Sequence, residues 1–167
     1  MVTFKGNTIE LAGQAPKVGQ AAPNFELLNN GLQPVTLADF AGKNVLLNIV
    51  PSLDTPVCQI QSKTFYVKLQ QSPVSLVTVS MDLPFAQARF CGAENLDAMQ
   101  SLSDHRTGAF GEAFGVLIPS LQLLSRAVVL IDAQGVVQYV EVVDEVTQEP
   151  NYDACMKAIE ALVAQPA

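Results

Sequence analysis

Residues 44–50, NVLLNIV, form an almost wholly apolar run of strand length. Such a run is expected in a strand that is covered on both faces of its sheet, because a half-exposed strand alternates apolar and polar residues. A second run of this kind, VSLVTVSMD, occupies residues 74–82. The two runs, with a helical segment between them, predict an α/β arrangement.

Two helices are predicted after these strands. Residues 56–71 have a helical pattern, with Ile60, Phe65 and Leu69 able to share one face. The second helix, in PFAQARFCGAENL, starts with proline at the N1 position, where the missing N–H would have had no helical partner. We predict Gly92 at the C′ position that ends this helix, because glycine tolerates the left-handed conformation.

The other predicted elements are short. They are an N-terminal hairpin with Gly6-Asn7 as its turn, a short strand ending at Asn30-Gly31, a helical turn in TLADFAGK stopped by Gly42, a strand near 100–102, a helical segment around 108–115, two strands joined by a turn at 133–135, and an amphipathic C-terminal helix in NYDACMKAIEALVA. This order resembles a thioredoxin-like α/β fold, with a central mixed sheet flanked by helices and an N-terminal β-hairpin extension. We expect one domain over residues 1–167.

Composition excludes several classes of protein. Hydrophobic residues make up 49% of the chain and charged residues 15%, as in globular proteins. The net charge of −7 gives no electrostatic reason to expect nucleic acid or an anionic membrane as a partner. The sequence has neither an apolar run of about 18 residues nor a signal-peptide pattern at its start. We therefore expect a cytoplasmic protein.

The three cysteines, Cys58, Cys91 and Cys155, are too few for a secreted disulfide scaffold. They lack paired C-x-x-C spacing, and His105 is the only histidine, so a metal site is not indicated. No cofactor is expected. In a reducing compartment each cysteine is either a buried small hydrophobe or a redox group.

Cys58 is predicted in the first turn of a helix, directly after a buried strand. Unpaired N–H groups and the helix dipole favour a thiolate there. Pro56 is tolerated in this turn, the Thr55 hydroxyl can reach the sulfur, and Pro51 can wall the site on one side. A negative charge on Asp54 would act against the thiolate if it faced the sulfur. From these residues alone, a packing role for Cys58 remains open.

Three motifs carry a family resemblance. The pattern Pro51-x-x-x-Thr55-x-x-Cys58 is similar to the active-site signature of peroxiredoxins, and VGQAAPNFEL resembles their N-terminal segment. NIVPSLDTPVC, SMDLPFAQARFCGAENL and SRAVVLIDAQGVVQYVE, in this order, resemble the bacterial thiol peroxidases, an atypical 2-Cys branch of that family. The resemblance spans nearly the whole chain.

This resemblance implies a thiol peroxidase that reduces hydrogen peroxide and organic hydroperoxides. It implies that Cys58 is the peroxidatic cysteine, which becomes a sulfenic acid. It assigns Thr55 to hydrogen-bonding the thiolate and the peroxide, and Pro51 to shielding the site from water. It assigns Arg126 to stabilising the thiolate and positioning the peroxide. It also implies thioredoxin as the reductant and a homodimer.

The resemblance further implies that Cys91 is the resolving cysteine, which forms an intramolecular disulfide with Cys58. Because a disulfide needs Cα atoms within about 7 Å, we expect local unwinding around both cysteines. Gly92 would make that unwinding easier by ending the helix there. Cys155 has no role in the family pattern, and we interpret it as a packing residue.

Other functions were weighed against the peroxidase. A disulfide oxidoreductase of the same fold would need C-x-x-C, but Gln61 stands three residues after Cys58. A cysteine hydrolase would pair Cys58 with His105, but the sequence offers no identifiable third group for such a site. A binding protein regulated by oxidation of Cys58 uses the same residues and stays open. Arg89 is interpreted as a solvated helix residue.

Overall fold

The computed structural model describes residues 1–165, so the last two residues of the predicted domain lie outside the described range. The strands within that range are β1 (Val2–Phe4), β2 (Asn7–Ile9), β3 (Glu26–Leu28), β4 (Pro34–Thr36), β5 (Val45–Ile49), β6 (Ser75–Ser80), β7 (Gln100–Ser103), β8 (Leu117–Ile118), β9 (Leu123–Leu124), β10 (Ala127–Ile131) and β11 (Val137–Val142). The helices are α1 (Pro56–Leu69), α2 (Pro84–Ala93), α3 (Ala109–Ala113) and α4 (Tyr152–Val163), with one 3-10 turn over Leu37–Phe40.

Seven of these strands form a mixed sheet in the order β11-β10-β5-β6-β7-β3-β4. β5, β6 and β7 run parallel, with Val45 opposite Ser75 and Val77 opposite Gln100. The outer strands pair antiparallel. The carboxyl ends of β5 and β6 therefore meet at the edge of the sheet from which α1 and α2 start, where open α/β sheets place their ligands. The predicted thioredoxin-like α/β fold with an N-terminal hairpin is confirmed.

β5 separates two apolar cores. All five of its residues are buried, and alternate residues point to opposite faces. Val45, Leu47 and Ile49 belong to the core that includes Phe110 of α3. Leu46 belongs to the core that α1, α2 and α4 cover. The continuous apolar run in the sequence thus has the predicted cause, a strand covered on both faces.

α1 starts where the sequence predicts it and ends two residues earlier than predicted, at Leu69. Thr55 is its N-cap and a proline occupies N1. Phe65 and Leu69 lie on the buried face, but Ile60 is 48% exposed, so its predicted place on that face is wrong. The polar residues Gln61 and Ser62 are buried there instead.

α2 corrects the predicted role of Gly92. The helix continues through Ala93, and the left-handed residue that follows it is Asn95, with φ of 56°. The Leu96 N–H donates to the Cys91 carbonyl at 2.9 Å, and the Asn95 N–H donates to the Gly92 carbonyl at 3.4 Å. This is the Schellman arrangement, with asparagine as the left-handed residue.

The N-terminal hairpin also turns one residue earlier than predicted. Phe4 pairs with Asn7, so Lys5 and Gly6 are the turn residues. Both have positive φ, 52° and 80°, as type I′ turns require. Other boundaries move slightly: the strand predicted over residues 74–82 ends at Ser80, and the short strands β4, β8 and β9 were not predicted.

No helix among residues 1–165 is both long enough and apolar enough to cross a membrane.

The segment between β2 and β3 packs tightly against the chain before β8, which leads to a stability prediction. Gly115 has φ of 67°, and a Cβ there would lie 2.2 Å from backbone atoms of Gln14 and Ala15. Gly115→Ala should lower the free energy of unfolding by about 3 kcal/mol or more, because strain and a backbone clash add. Gly42→Ala, at φ of 80° with no atom within 4 Å, should cost only about 1 kcal/mol. Since the chain has no tryptophan, urea unfolding followed by circular dichroism is the measurement. Equal losses in the two variants would contradict the packing described.

Candidate active site

Cys58 lies in the first turn of α1, at the carboxyl end of β5, with no exposed surface. Its sulfur accepts a hydrogen bond from the Arg126 Nη2, at 3.3 Å. Arg126 directly precedes β10, the antiparallel neighbour of β5. The structure therefore brings together two residues that lie 68 positions apart in the sequence. The guanidinium therefore places a fixed positive charge directly against the sulfur.

Arg126 is itself buried, with 2% of its surface exposed, and two further hydrogen bonds fix it. Its Nε donates to the Val146 carbonyl at 2.8 Å, and its Nη1 donates to the Gln61 Oε1 at 2.8 Å. The guanidinium therefore faces the sulfur in one orientation, because each of its three nitrogens has a partner.

A buried polar network continues from Gln61 into the sheet. The Gln61 Nε2 donates to the Asn48 Oδ1 at 2.6 Å, and the Asn48 Nδ2 donates to the hydroxyls of Ser62 and Thr78, both at 3.0 Å. These four side chains have no exposed surface. Sequence reasoning missed this network. Its one signal was Asn48, the polar residue inside the apolar run of β5.

A pocket of about 370 Å³ lies against Arg126 and the start of α1, while Cys58 itself is buried behind its lining residues. Its lining includes Pro51, Thr55 and Arg126, three of the predicted site residues, together with apolar side chains such as Val57 and Leu123. The Thr55 hydroxyl donates to the Ser52 carbonyl at 3.0 Å in this state. The pocket thus offers a fixed cation in mostly apolar walls.

The N-terminal hairpin contributes to the same pocket through Phe4 and Lys5. Glu145 holds the hairpin in place: its carboxylate accepts the Thr3 hydroxyl at 2.7 Å and the Lys5 N–H at 2.9 Å. Hydrogen bonds, first those from the hydroxyls of Thr3 and Thr147, lower the pKa of Glu145 to about 2. The hairpin is therefore fixed to the loop whose Val146 carbonyl orients Arg126.

Asp54 turns away from the sulfur. Its carboxylate pairs with Arg89 of α2 at 3.3 Å, and both side chains are largely exposed. The negative charge that could have opposed the thiolate is thus paired on the surface. Arg89 is the solvated helix residue that the sequence indicates.

Cys91 and Cys155 lie in the core that also includes Cys58, and all three are free thiols. The Cys91 sulfur lies 3.7 Å from the hydroxyl of Ser101 on β7. Burial raises the pKa of the Cys91 thiol, although the Ser101 hydroxyl acts in the opposite direction. Burial raises the pKa of the Cys155 thiol to about 12. Both groups therefore stay protonated at neutral pH.

Within residues 1–165, no group of three or more His, Cys, Asp or Glu side chains is arranged to hold a metal ion. His105 follows β7, where its backbone N–H donates to the Ser103 hydroxyl. Its ring is not among the hydrogen-bond partners of Cys58 in the described chain.

The chain is similar to known proteins both in sequence and in structure. The Redoxin family model matches residues 17–156. A thiol peroxidase of Bacillus subtilis is 47% identical over 97% of this chain and 98% of its own length. A thiol peroxidase of Halalkalibacterium halodurans is 49% identical over 98% of this chain and 97% of its own. Among solved structures, a peroxiredoxin-like protein from Aquifex aeolicus superimposes with a TM-score of 0.90 at 40% identity, covering 97% of this chain and 96% of its own.

The site predicts selective alkylation. At pH 7, iodoacetamide should modify Cys58 about tenfold faster than Cys91 or Cys155, because the Arg126 guanidinium contacts its sulfur while burial raises the pKa of the other two thiols. Raising the pH from 7 to 9 should not make Cys155 reactive, since its pKa lies near 12. Peptide mass spectrometry after timed quenching gives the three rates. Faster labelling of Cys155 than of Cys58 would contradict the geometry.

Proposed function

This chain belongs to the redoxin family, in which it groups with bacterial thiol peroxidases, and from that premise we propose that it reduces peroxides through the thiol of Cys58. One observation carries the assignment of the residue: the Arg126 guanidinium lies 3.3 Å from the Cys58 sulfur at the wall of a pocket. A buried packing cysteine would need no such cation.

In the proposed first step, the Cys58 thiolate attacks one oxygen of the peroxide. An S–O bond forms while the O–O bond breaks, and the second oxygen leaves as hydroxide or alkoxide and takes up the proton that the thiol released. Cys58 is oxidised to a sulfenic acid, and the peroxide is reduced to water or an alcohol. Arg126 stabilises the charge that moves onto the leaving oxygen. The Thr55 hydroxyl, which lines the pocket, hydrogen-bonds the peroxide, and Pro51 keeps bulk water out.

The pocket walls indicate the substrates. They are mostly apolar and include Val57, Leu123 and Phe4 of the hairpin. A pocket of about 370 Å³ accommodates more than hydrogen peroxide, so we include organic hydroperoxides among the substrates.

In the proposed second step, Cys91 attacks the sulfenic sulfur of Cys58. The S–S bond forms as the S–O bond breaks, and water leaves with the proton of the Cys91 thiol. The two sulfurs face side chains of different strands: Arg126 precedes β10 and Ser101 lies on β7, three strand spacings away in the sheet, or about 14 Å. Because a disulfide needs Cα atoms within about 7 Å, we expect the segments around both cysteines to unwind before it forms.

Thioredoxin is the proposed reductant, which returns the disulfide to two thiols by exchange with its own dithiol. A homodimer and a cytoplasmic location are proposed on the family resemblance, and the three free thiols suit a reducing compartment. Turnover of peroxide with thioredoxin and its reductase tests the proposed reductant. Sedimentation equilibrium tests the proposed homodimer.

Replacing the guanidinium tests its role. Arg126→Lys keeps a charge but loses the planar fork that bonds Gln61 and Val146, so oxidation of Cys58 by peroxide should slow about tenfold or more. The matched control is Arg106→Lys, an exposed arginine after β7, which should leave the rate unchanged. Rapid-quench mass spectrometry gives the rate in one turnover. An unchanged rate in Arg126→Lys would show that Arg126 takes no part in the oxidation of Cys58.

Cysteine replacements separate the three thiols. Cys58→Ser should abolish peroxide reduction, because a serine hydroxyl is not ionised at neutral pH. Cys91→Ser should still be oxidised once at Cys58 but should stall in thioredoxin-driven turnover and proceed to sulfinic acid with excess peroxide. Cys155→Ser should neither abolish peroxide reduction nor stall thioredoxin-driven turnover.

Intact mass after one equivalent of peroxide distinguishes these outcomes. Wild type and Cys155→Ser should lose two hydrogens, and Cys91→Ser should gain one oxygen. If Cys155→Ser lost the disulfide while Cys91→Ser kept it, Cys155 would be the resolving residue. Peroxide turnover by Cys58→Ser would refute the mechanism as a whole.

A further inference from the structure

A carboxylate outside the peroxide pocket holds the turn from which α1 starts. Asp82, in the loop between β6 and α2, accepts the Ser52 hydroxyl on Oδ1 at 2.7 Å. Its Oδ2 accepts the Leu53 N–H and the Ser80 hydroxyl, both at 2.8 Å. The Asp82 carbonyl accepts the Ser103 hydroxyl. The carboxylate is therefore fixed to the sheet on one side and to the turn on the other.

Ser52 connects the Asp82 carboxylate to Thr55, the N-cap of the helix that carries Cys58. Its carbonyl accepts the Thr55 hydroxyl at 3.0 Å and the Thr55 N–H at 3.2 Å, and its hydroxyl oxygen accepts the Asp54 N–H at 3.2 Å. Thr55 is the N-cap of α1, and Cys58 lies three residues later. The position of Cys58 against Arg126 thus depends on a turn that Asp82 holds.

We propose that Asp82 is a positioning residue that joins the turn at residues 52–55 to the loop before α2, and that its release governs how readily Cys58 leaves Arg126 for Cys91. This inference rests on the proposed function, since it presumes the Cys58–Cys91 disulfide. The turn leads into the first turn of α1, which carries Cys58, and the loop leads into α2, whose last turn carries Cys91. While its hydrogen bonds are made, the first turn of α1 stays folded.

The inference makes opposite predictions for the two chemical steps. Oxidation by peroxide needs the closed form, in which Cys58 faces Arg126. Disulfide formation needs the open form, in which the first turn of α1 has unwound. Loss of a contact made only in the closed form shifts the population toward the open form. Hydrogen bonds to a carboxylate are stronger than neutral ones, so the shift should be measurable.

The test is a single turnover of Asp82→Ala with hydrogen peroxide, quenched in acid at timed intervals. Intact mass gives the reduced, sulfenic and disulfide forms, and circular dichroism checks that the variant is folded. We expect oxidation of Cys58 to slow about tenfold, disulfide formation from the sulfenic acid to accelerate about tenfold, and less sulfinic acid to form under excess peroxide. A merely structural residue would slow both steps together.

Two further variants keep the test decisive. Ser52→Ala removes one of the bonds to the carboxylate and leaves the Leu53 contact, so it should shift both rates in the same directions by a smaller factor, even if Asp82→Ala does not fold. Arg89→Gln breaks the exposed pair with Asp54, which links the same turn to α2 at the surface, and should leave both rates unchanged because such pairs contribute little.

The inference is overturned if disulfide formation is no faster in Asp82→Ala, or in Ser52→Ala should the first variant not fold, than in wild type. Failure of the proposed function gives a different result. In that case wild type itself would form no disulfide between Cys58 and Cys91, whatever Asp82 does.

Discussion

The contact between the Arg126 guanidinium and the Cys58 sulfur places a positively charged side chain in the buried interior, away from water. Burying such a charge costs several kcal/mol unless each donor has a partner. Val146 and Gln61 satisfy two of the three nitrogens, and the third points at the sulfur. The contacts that satisfy the buried arginine are therefore also the contacts that direct its third nitrogen at the sulfur. Stability and reactivity share one set of contacts.

The surrounding fold supplies those contacts from distant parts of the chain. α1 brings Gln61, and the loop after β11 brings the Val146 carbonyl. Glu145 ties that loop to the N-terminal hairpin, which in turn walls the pocket with Phe4. The hairpin is thus more than an extension of the fold, because its position is coupled to the orientation of the guanidinium.

The proposed disulfide would require this site to release its cysteine, and both cysteines lie near helix ends. Cys58 lies in the first turn of α1, and Cys91 in the last turn of α2, where its carbonyl accepts the Leu96 N–H of the helix cap. Terminal turns open at lower free energy than helix centres. Both cysteines therefore lie where local unwinding disturbs the fewest packed residues, while Phe65 and the middle of α1 keep the core intact.

The α/β fold could be predicted from the sequence, because the apolar run of β5 and the helical pattern after it indicate a strand covered on both faces and a following helix. The start of α1 could be predicted as well, because Thr55 and a proline at N1 act within one turn of Cys58. Local errors arose where two residues suit the same turn: Asn95 rather than Gly92 ends α2, and Lys5 and Gly6 form the hairpin turn.

The neighbours of the sulfur, in contrast, follow from how distant parts of the chain pack together. The motif resemblance selected Arg126, but nothing local predicted that Gln61 and Asn48 would be buried behind it, or that Asp82 would hold the turn at Ser52. Such contacts join residues 13 to 65 positions apart, and their partners are chosen by the order of strands in the sheet. Periodicity and capping act over a few residues, so they fix where an element begins but not which side chains meet across it.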